Sequence, residues 1–544
     1  MKIEEKTDLA LELEPREDFV RGLDTLTRAV QTTLGPAGQL VALQMKLGPP
    51  TYTKDGVTVA DFVWSPHPVE NSAIQTVIGA AKEMNARVGD GTTTAIILTV
   101  ALAKQLLSLK GREYQEVIRH LRTYFNIASD AVKKNVRTIE NDLKFLEAVA
   151  MISCNGDPVI AQVVADAVHS VGKDGVVTFQ DSPTGDPYYE ISTGMVFDRG
   201  YSTSAFLTSN DKQGKIDFGG TESQACLLFL SNDTLADAQD TYPILDAAHK
   251  MGQPVLIIAP DIVGNAAGMM IVNRQQGNAE SCAVRAPGSG EQRINMMRDL
   301  AIATGGRVFS SDQGKSLKDM KDEVIEYFGK AGRVIVSESR TVIVDAGGEA
   351  DQIEDHITML RKAVVENPLE SEKYQARIAQ LTGGVGSVFV PGYNSAERIA
   401  SRYFVEDGIS ACFAALRGGI VPGGGCSFKA MHKAVSEAPV DGPMAERAKE
   451  IFLKMVKRPL ELLISNAIEG GTPEDQTFGI LTDVLRKKGF NSGIDIRTME
   501  VCDVAKRMIW EPVLVPLTAL RIAFSCATTL GNTKAIINQR KDKK

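Results

Sequence analysis

Cysteine is sparse and unpaired in this 544-residue chain: seven residues, at 154, 226, 282, 412, 426, 502 and 526, with no two closer than 14 positions. No CxxC or HExxH occurs, and the six histidines do not cluster. That pattern argues against a disulfide framework and a structural zinc site, and fits buried thiols in a reducing compartment. No unbroken apolar run reaches the ~18 residues a membrane span needs. The opening MKIEEKTDLALELEPRED has neither the apolar core of a signal peptide nor the arginine-rich, acid-poor make-up of a transit peptide. Positive charge is not in excess either: 60 Lys and Arg face 68 Asp and Glu, a net charge of -8, and the only basic cluster is RKDKK at 540–544. Phosphate neutralisation needs clustered excess Lys and Arg, so a general nucleic-acid binder is disfavoured. The familiar phosphate motifs are missing as well. Phe309 stands where a GxxxxGK[ST] loop ending at Gly314-Lys315-Ser316 needs its first glycine, and no GxGxxG follows a strand and opens a helix. These absences lead to the expectation of a cytoplasmic protein without a membrane or nucleic-acid partner.

What is present is an ordinary globular composition, 43% apolar and 24% charged, on a chain long enough for two to four domains. Phe19, Val20, Leu23, Leu26, Ala29 and Val30 recur at helical spacing until Leu34-Gly35-Pro36 stops the helix. QLVALQM and TYTKDGVTVA read as strands, the second turning at Asp55-Gly56, and helical patterns then run to about 170. The middle alternates the short strands PYYEIS, ACLLFLS, PVLIIAP, SCAVRAP and GRVIVS with helices such as 262–276 and 291–303, an α/β pattern. Helix returns from 350 to 381 and dominates from 395 onward. Helix-rich, α/β, helix-rich is the order of a domain inserted into another, with Thr193-Gly194 and Gly383-Gly384 as candidate hinges.

Four glycine-rich spots punctuate the flanks: TTLGPAG (32–38), TKDG (53–56), GDGTTT (89–94) and GGIVPGGG (418–425). Singly, each reads as a helix stop, a turn or a connector. GDGTTT asks for more. Glycines let the backbone approach an anion, a helix start offers free N–H groups, and a cap needs one hydroxyl where three stand. Asp90 would repel bare phosphate but suits a phosphate-bound Mg²⁺. Asp407, in VEDGISACFAAL, reads either as the N-cap of a following helix or as a carboxylate that orients an attacking water.

In this order and spacing TTLGPAG, TKDGVTVA, GDGTTTA, VED with GGG 16 residues later, and GFNSG (489–493) resemble the nucleotide site of the group I chaperonins, the GroEL-type large subunit. GMVFDRGY (194–201), PVLIIA, APGSG and MMRDLAIATGG extend the resemblance across nearly the whole chain. It implies a multidomain α/β fold: a helical equatorial ATPase domain (1–138 and 419–544), a small intermediate hinge domain (139–194 and 385–418) and an inserted α/β apical domain (195–384). It further implies ATP with Mg²⁺ and K⁺, heptameric rings of identical subunits, non-native polypeptide clients and a co-chaperonin lid. By resemblance Thr33, Leu34, Gly35, Pro36, Lys54, Gly91, Thr92, Thr93 and Thr94 contact nucleotide, Asp90 binds Mg²⁺, and the Thr33 and Lys54 carbonyls hold K⁺. Asp55 and Asp407 act on the hydrolytic water, Gly424 faces the nucleotide, and Asn491 and Glu511 stand at its base and ribose end. Clients would meet Tyr201, Phe206, Tyr242, Leu245, Ala267, Ile271 and Val272, with Met269 and Met270 adding adaptability.

The chain also departs from the family pattern. Glu511-Pro512 lengthens the usual Asp-Pro, and Ala205 and Ala267 replace larger apolar residues. NSAERIASRYF stands where a Glu- and Lys-rich stretch is usual, leaving Ser395 in place of a glutamate that would pair with Arg199. INQRKDKK replaces the usual Gly-Gly-Met tail. Weaker ATP cooperativity is expected. The competing readings are a ring scaffold impaired in hydrolysis and a non-chaperone ATPase or kinase; no His, Arg and carboxylate cluster supports the latter.

Overall fold

The computed structural model describes residues 9–13, 15–45, 50–173, 175–209, 211, 214–219, 225–367, 370–382, 384–468 and 474–539. The basic tail and the Gly383 hinge lie outside them. The chain forms two compact units: Met1–Lys173, Asp181–Tyr189 and Val388–Lys544 make the first, and Asp174–Gln180 with Glu190–Ser387 the second.

The first unit opens with strand β1 (Leu9–Leu13), helix α1 (Arg16–Val30), the hairpin strands β2 (Val41–Leu43) and β3 (Thr51–Thr53), and helices α2 (Gly56–Asp61), α3 (Pro68–Val88), α4 (Thr92–Leu107), α5 (Gly111–Lys133), α6 (Leu143–Ser153) and α7 (Pro158–Val171). Asp55 and Gly56 were expected to turn a strand. Instead Asp55 caps α2, accepting from Thr58 N at 2.8 Å and Thr58 Oγ1 at 2.6 Å. Asp followed by Gly serves a helix start as readily as a turn, and β-branched VTV disguised the helix.

The second unit holds most of strands β4 (Val176–Asp181) and β5 (Tyr188–Phe197), followed by β6 (Ile216–Gly219), β7 (Cys226–Ser231), helix α8 (Ala238–Met251), β8 (Val255–Ala259), α9 (Gly264–Gln275), β9 (Ser281–Arg285) and α10 (Gly290–Thr304). Then come β10 (Val308–Phe309), β11 (Gly329–Val336), β12 (Thr341–Ala346), α11 (Ala350–Glu366), α12 (Ser371–Thr382) and β13 (Gly384–Val390). These strands form one mixed sheet in the order β4-β13-β5-β12-β11-β7-β8-β9, with β10 on β7 and β6 on β11. The expected strands and helices of the middle segment are all found. β7 and β8 are parallel and wholly buried, as strands covered on both faces must be. Gly194, expected at a hinge, lies inside β5, where a Cβ would come within 2.7 Å of Val385 Cγ2, so glycine permits close strand packing there.

The chain re-enters the first unit through helix α13 (Ser395–Gly418), β14 (Ile420–Pro422), α14 (Cys426–Ser436), α15 (Pro443–Ala467), α16 (Glu474–Arg486), β15 (Ser492–Asp495), β16 (Glu500–Asp503), β17 (Trp510–Pro512), α17 (Leu514–Asn532) and β18 (Ala535–Gln539). β18 pairs with β1 and β17 with β14, so the two flanks share one body. α4 is apolar nearly all round because it runs through the centre of that body, against α3, α15 and α17. By length and composition α17 could cross a membrane, a feature the sequence expectation overlooked. Its residues Leu517, Ala519, Leu520, Ala523, Ala527 and Leu530 belong to the same core, which is the role a buried helix of this composition plays in a globular fold. Five of the seven thiols are buried; Cys502 and Cys526 are partly exposed.

Candidate functional site

Helix starts, loops, the middle of α13 and strand β17, all in the first unit, carry the expected site residues. α3 ends at Gly89 and α4 begins after Gly91, and both glycines adopt left-handed φ near 78° (77° and 79°). Gly91 is therefore the N-cap of α4, and no side chain caps it. None of the three threonines serves as a cap, which corrects the expectation that one of them did. The first-turn N–H groups of a long helix are left without a side-chain acceptor, at its positive end. Thr92 and Thr93 are buried beside them, and Thr94 is half-buried. Thr93 Oγ1 lies 3.2 Å from Thr33 Oγ1, which ties α4 to the loop after α1. A Cβ on Gly56 would collide with Thr93 Oγ1, so glycine is required where α2 meets α4.

The Leu34-Gly35-Pro36 loop is held from the other flank. Asn466 Nδ2 donates to Gln31 O at 2.9 Å and to Leu34 O at 3.1 Å. Gly35 has φ 77°, and Lys54 Nζ donates to Pro36 O at 3.3 Å and also to Asn155 Oδ1. Burial lowers the Lys54 ammonium to about 8, opposed by the charge of Asp407.

Asp90 accepts from Gly91 N at 2.5 Å through Oδ1 and from Ser153 Oγ at 3.0 Å through Oδ2. Burial raises its pKa, the two hydrogen bonds oppose that, and the charge of Asp55 adds to it. Asp407 sits in the middle of α13, whose N-cap is Asn394, so the capping reading of Asp407 is wrong. Its carboxyl is pushed well above the usual range by burial, then by Asp90, Asp55 and Glu406, with Lys54 pulling the other way. Three carboxylates from segments some 300 residues apart thus feel one another, with a single ammonium among the charges acting on Asp407. A hard dication is the partner such oxygen donors suit, and the donor set fits Mg²⁺. Glu511, on β17, accepts from Ser427 Oγ at 2.6 Å. Burial lifts it to about 7, with Asp90 again contributing. Gly424 has φ 58°, and its carbonyl accepts from Ile494 N at 3.0 Å. Its glycine is required because a Cβ would strike Ile494 O. Asn491 is exposed, and its carbonyl accepts from Val504 N at 3.0 Å. Ser153, Asn155, Asn466 and Ser427 were not anticipated. Polar residues of that kind end helices everywhere, and only the fold shows what they reach.

A sequence model of the TCP-1/cpn60 chaperonin family matches residues 26–541. The chain belongs to that family. Two crystal structures of the chaperonin gp146 from bacteriophage EL 2 (Pseudomonas aeruginosa), both in the presence of ATP-BeFx, are similar over 98% of this chain and 99% of theirs. Crystal form II gives a TM-score of 0.64 at 19% identity and form I a TM-score of 0.60 at 20%. The likeness is one of fold, and a divergent chaperonin has the multidomain α/β architecture described above.

In the second unit of this chaperonin the expected client residues divide. Tyr242 (58% exposed) and Val272 (50%) lie on the surface of α8 and α9, while Tyr201, Ala267 and Ile271 are half-buried against the core. Phe206 (0%) and Leu245 (5%) are core residues, contrary to expectation, and so is Met270. The Phe206 carbonyl accepts from the buried Arg274 Nε at 2.8 Å, which fixes that segment to α9.

Proposed function

We propose that this chaperonin is an ATP-driven folding machine whose nucleotide site is the start of α4. The observation that carries the reading is the uncapped, hydroxyl-lined helix start with Asp55, Asp90 and Asp407 gathered around it. Its free N–H groups and the hydroxyls of Thr92, Thr93 and Thr94 suit the phosphates of ATP. Thr33, Leu34, Gly35, Pro36 and Lys54 line the approach, and Glu511 with Asn491 takes the sugar and base end. Asp90 would hold Mg²⁺, and the carbonyls of Thr33 and Lys54 would hold K⁺. Mg²⁺, when bound, would supply charge neutralisation at the phosphates and offset the repulsion from Asp90 and Asp55 that adds to burial in raising the Asp407 carboxyl. Asp407 in its ionised form can accept a proton from water or orient it, with Asp55 beside it. Lys54, close to Asp407, favours that ionised form.

The same proposal divides the chain into equatorial, intermediate and apical domains at the expected boundaries. The intermediate layer would be built on α6, α7 and α13, which pack on one another within the first compact unit. Tyr242 and Val272 give the apical domain an exposed apolar face for non-native clients. Rings of seven, a co-chaperonin lid and a cytoplasmic setting complete the reading. Asp407→Ala tests it: ATP should still bind while turnover falls by two orders of magnitude or more, and unchanged turnover refutes the assignment. Electron microscopy with and without ATP tests assembly, and a monomer in both conditions would overturn the chamber.

A further inference from the structure

The turn that ends α6 carries three consecutive residues, each in contact with a different part of the site. Ser153 Oγ donates to Asp90 Oδ2 at 3.0 Å. Cys154 Sγ donates to Phe404 O of α13 at 3.4 Å. Asn155 Oδ1 accepts from Lys54 Nζ. The turn is tight because Asn155 takes a left-handed φ of 58°, which a short polar side chain tolerates and which sends its amide back toward Lys54.

Cys154 is fully buried and fills the space that a side chain on Gly408 would need: a Cβ there would lie 2.5 Å from Sγ. Gly408 follows Asp407 directly, so this contact sets how close α13 brings its carboxylate. On the other side, both oxygens of Asp90 are held, Oδ1 by the Gly91 amide and Oδ2 by Ser153. A carboxylate pinned at both oxygens cannot rotate, and its remaining lone pairs keep one direction. A serine hydroxyl has a single proton to give, and here it goes to Asp90.

We propose that Ser153 is a positioning residue for Asp90, and that the Ser153-Cys154-Asn155 turn fixes Asp90 relative to Asp407 for a divalent cation. The inference rests on the reading of Asp90 as the cation ligand. Groups that orient a metal ligand in this way change metal affinity about 10- to 100-fold when removed.

Mn²⁺, read by electron paramagnetic resonance, is the probe, titrated into the full chain with a non-hydrolysable ATP analogue. Ser153→Ala should weaken Mn²⁺ binding by about tenfold or more, while binding of the analogue in EDTA stays within about twofold of the wild type. Ser153→Thr, which keeps the hydroxyl, should restore most of the affinity, and its recovery separates loss of the hydrogen bond from misfolding. Ser153→Ala with wild-type Mn²⁺ affinity, or Ser153→Thr no better than Ser153→Ala, overturns the positioning role alone. A wild-type chain that binds the analogue but takes up no Mn²⁺ with it overturns the reading of Asp90 as the cation ligand as well.

Discussion

Glu511 makes the electrostatics of the site measurable without any nucleotide. Its carboxyl titrates near 7 in the fold against 4.5 as the ordinary value, chiefly through burial, with the Ser427 hydrogen bond offsetting part of the effect and Asp90 adding to it. Because the folded value is raised, the unfolded chain releases this proton first. The fold is then penalised progressively as pH rises from about 4.5 to about 7, and the penalty is complete above that. At about 1.4 kcal/mol for each tenfold change in proton affinity, the full cost is about 3 kcal/mol at pH 8 and under about 1 kcal/mol at pH 5. Glu511→Gln keeps an oxygen for Ser427 Oγ and removes the charge, so it should stabilise the first unit by about 2 kcal/mol more at pH 8 than at pH 5. Calorimetric melting of both proteins in the absence of nucleotide, at pH 5, 6, 7 and 8, reads this as a difference in melting temperature that widens by a few degrees across the series. Two compact units can melt separately, so the comparison is made on the transition that the substitution moves. A difference that does not change with pH, or that shrinks as pH rises, would refute the assignment of a buried, reluctantly ionised carboxyl at 511.

Gly408→Ala should destabilise the seam between α6 and α13 by about 1–3 kcal/mol through its clash with Cys154 Sγ, and adding Cys154→Ala should recover most of that loss; additive effects in urea unfolding would remove the contact from the argument. Phe206→Ala should cost about 3–5 kcal/mol of fold stability as a core deletion, whereas Tyr242→Ser and Val272→Ser should leave melting unchanged and weaken capture of a denatured client by about 1–3 kcal/mol each. Client capture lost with Phe206→Ala at full stability would reverse that division. With Ser395 where the family pattern has a glutamate, ATP hydrolysis should show weaker positive cooperativity than in double-ring chaperonins; a Hill coefficient as high as theirs under steady-state assay would count against it.

The sequence by itself determined the order of the architecture and the backbone of the site. Gly89, Gly91 and Gly35 stand where the chain takes a left-handed turn, a local requirement that composition displays openly. Period and strand composition likewise marked β7, β8, β9, α9 and α10, because each buries its faces in the way its pattern announces. Local signals failed where two structures share one signature. Asp55-Gly56 serves a turn or a helix cap, Asp407 a cap or a mid-helix carboxylate, and Phe206 and Leu245 a client surface or a core. Tertiary structure decided those, and it alone decided proton affinity. Asp407 and Glu511 are held above the usual carboxylate range by burial and by the charge of Asp90, a residue more than 300 positions away in the chain. Desolvation and Coulomb repulsion act through space, so no reading along the chain could have assigned them.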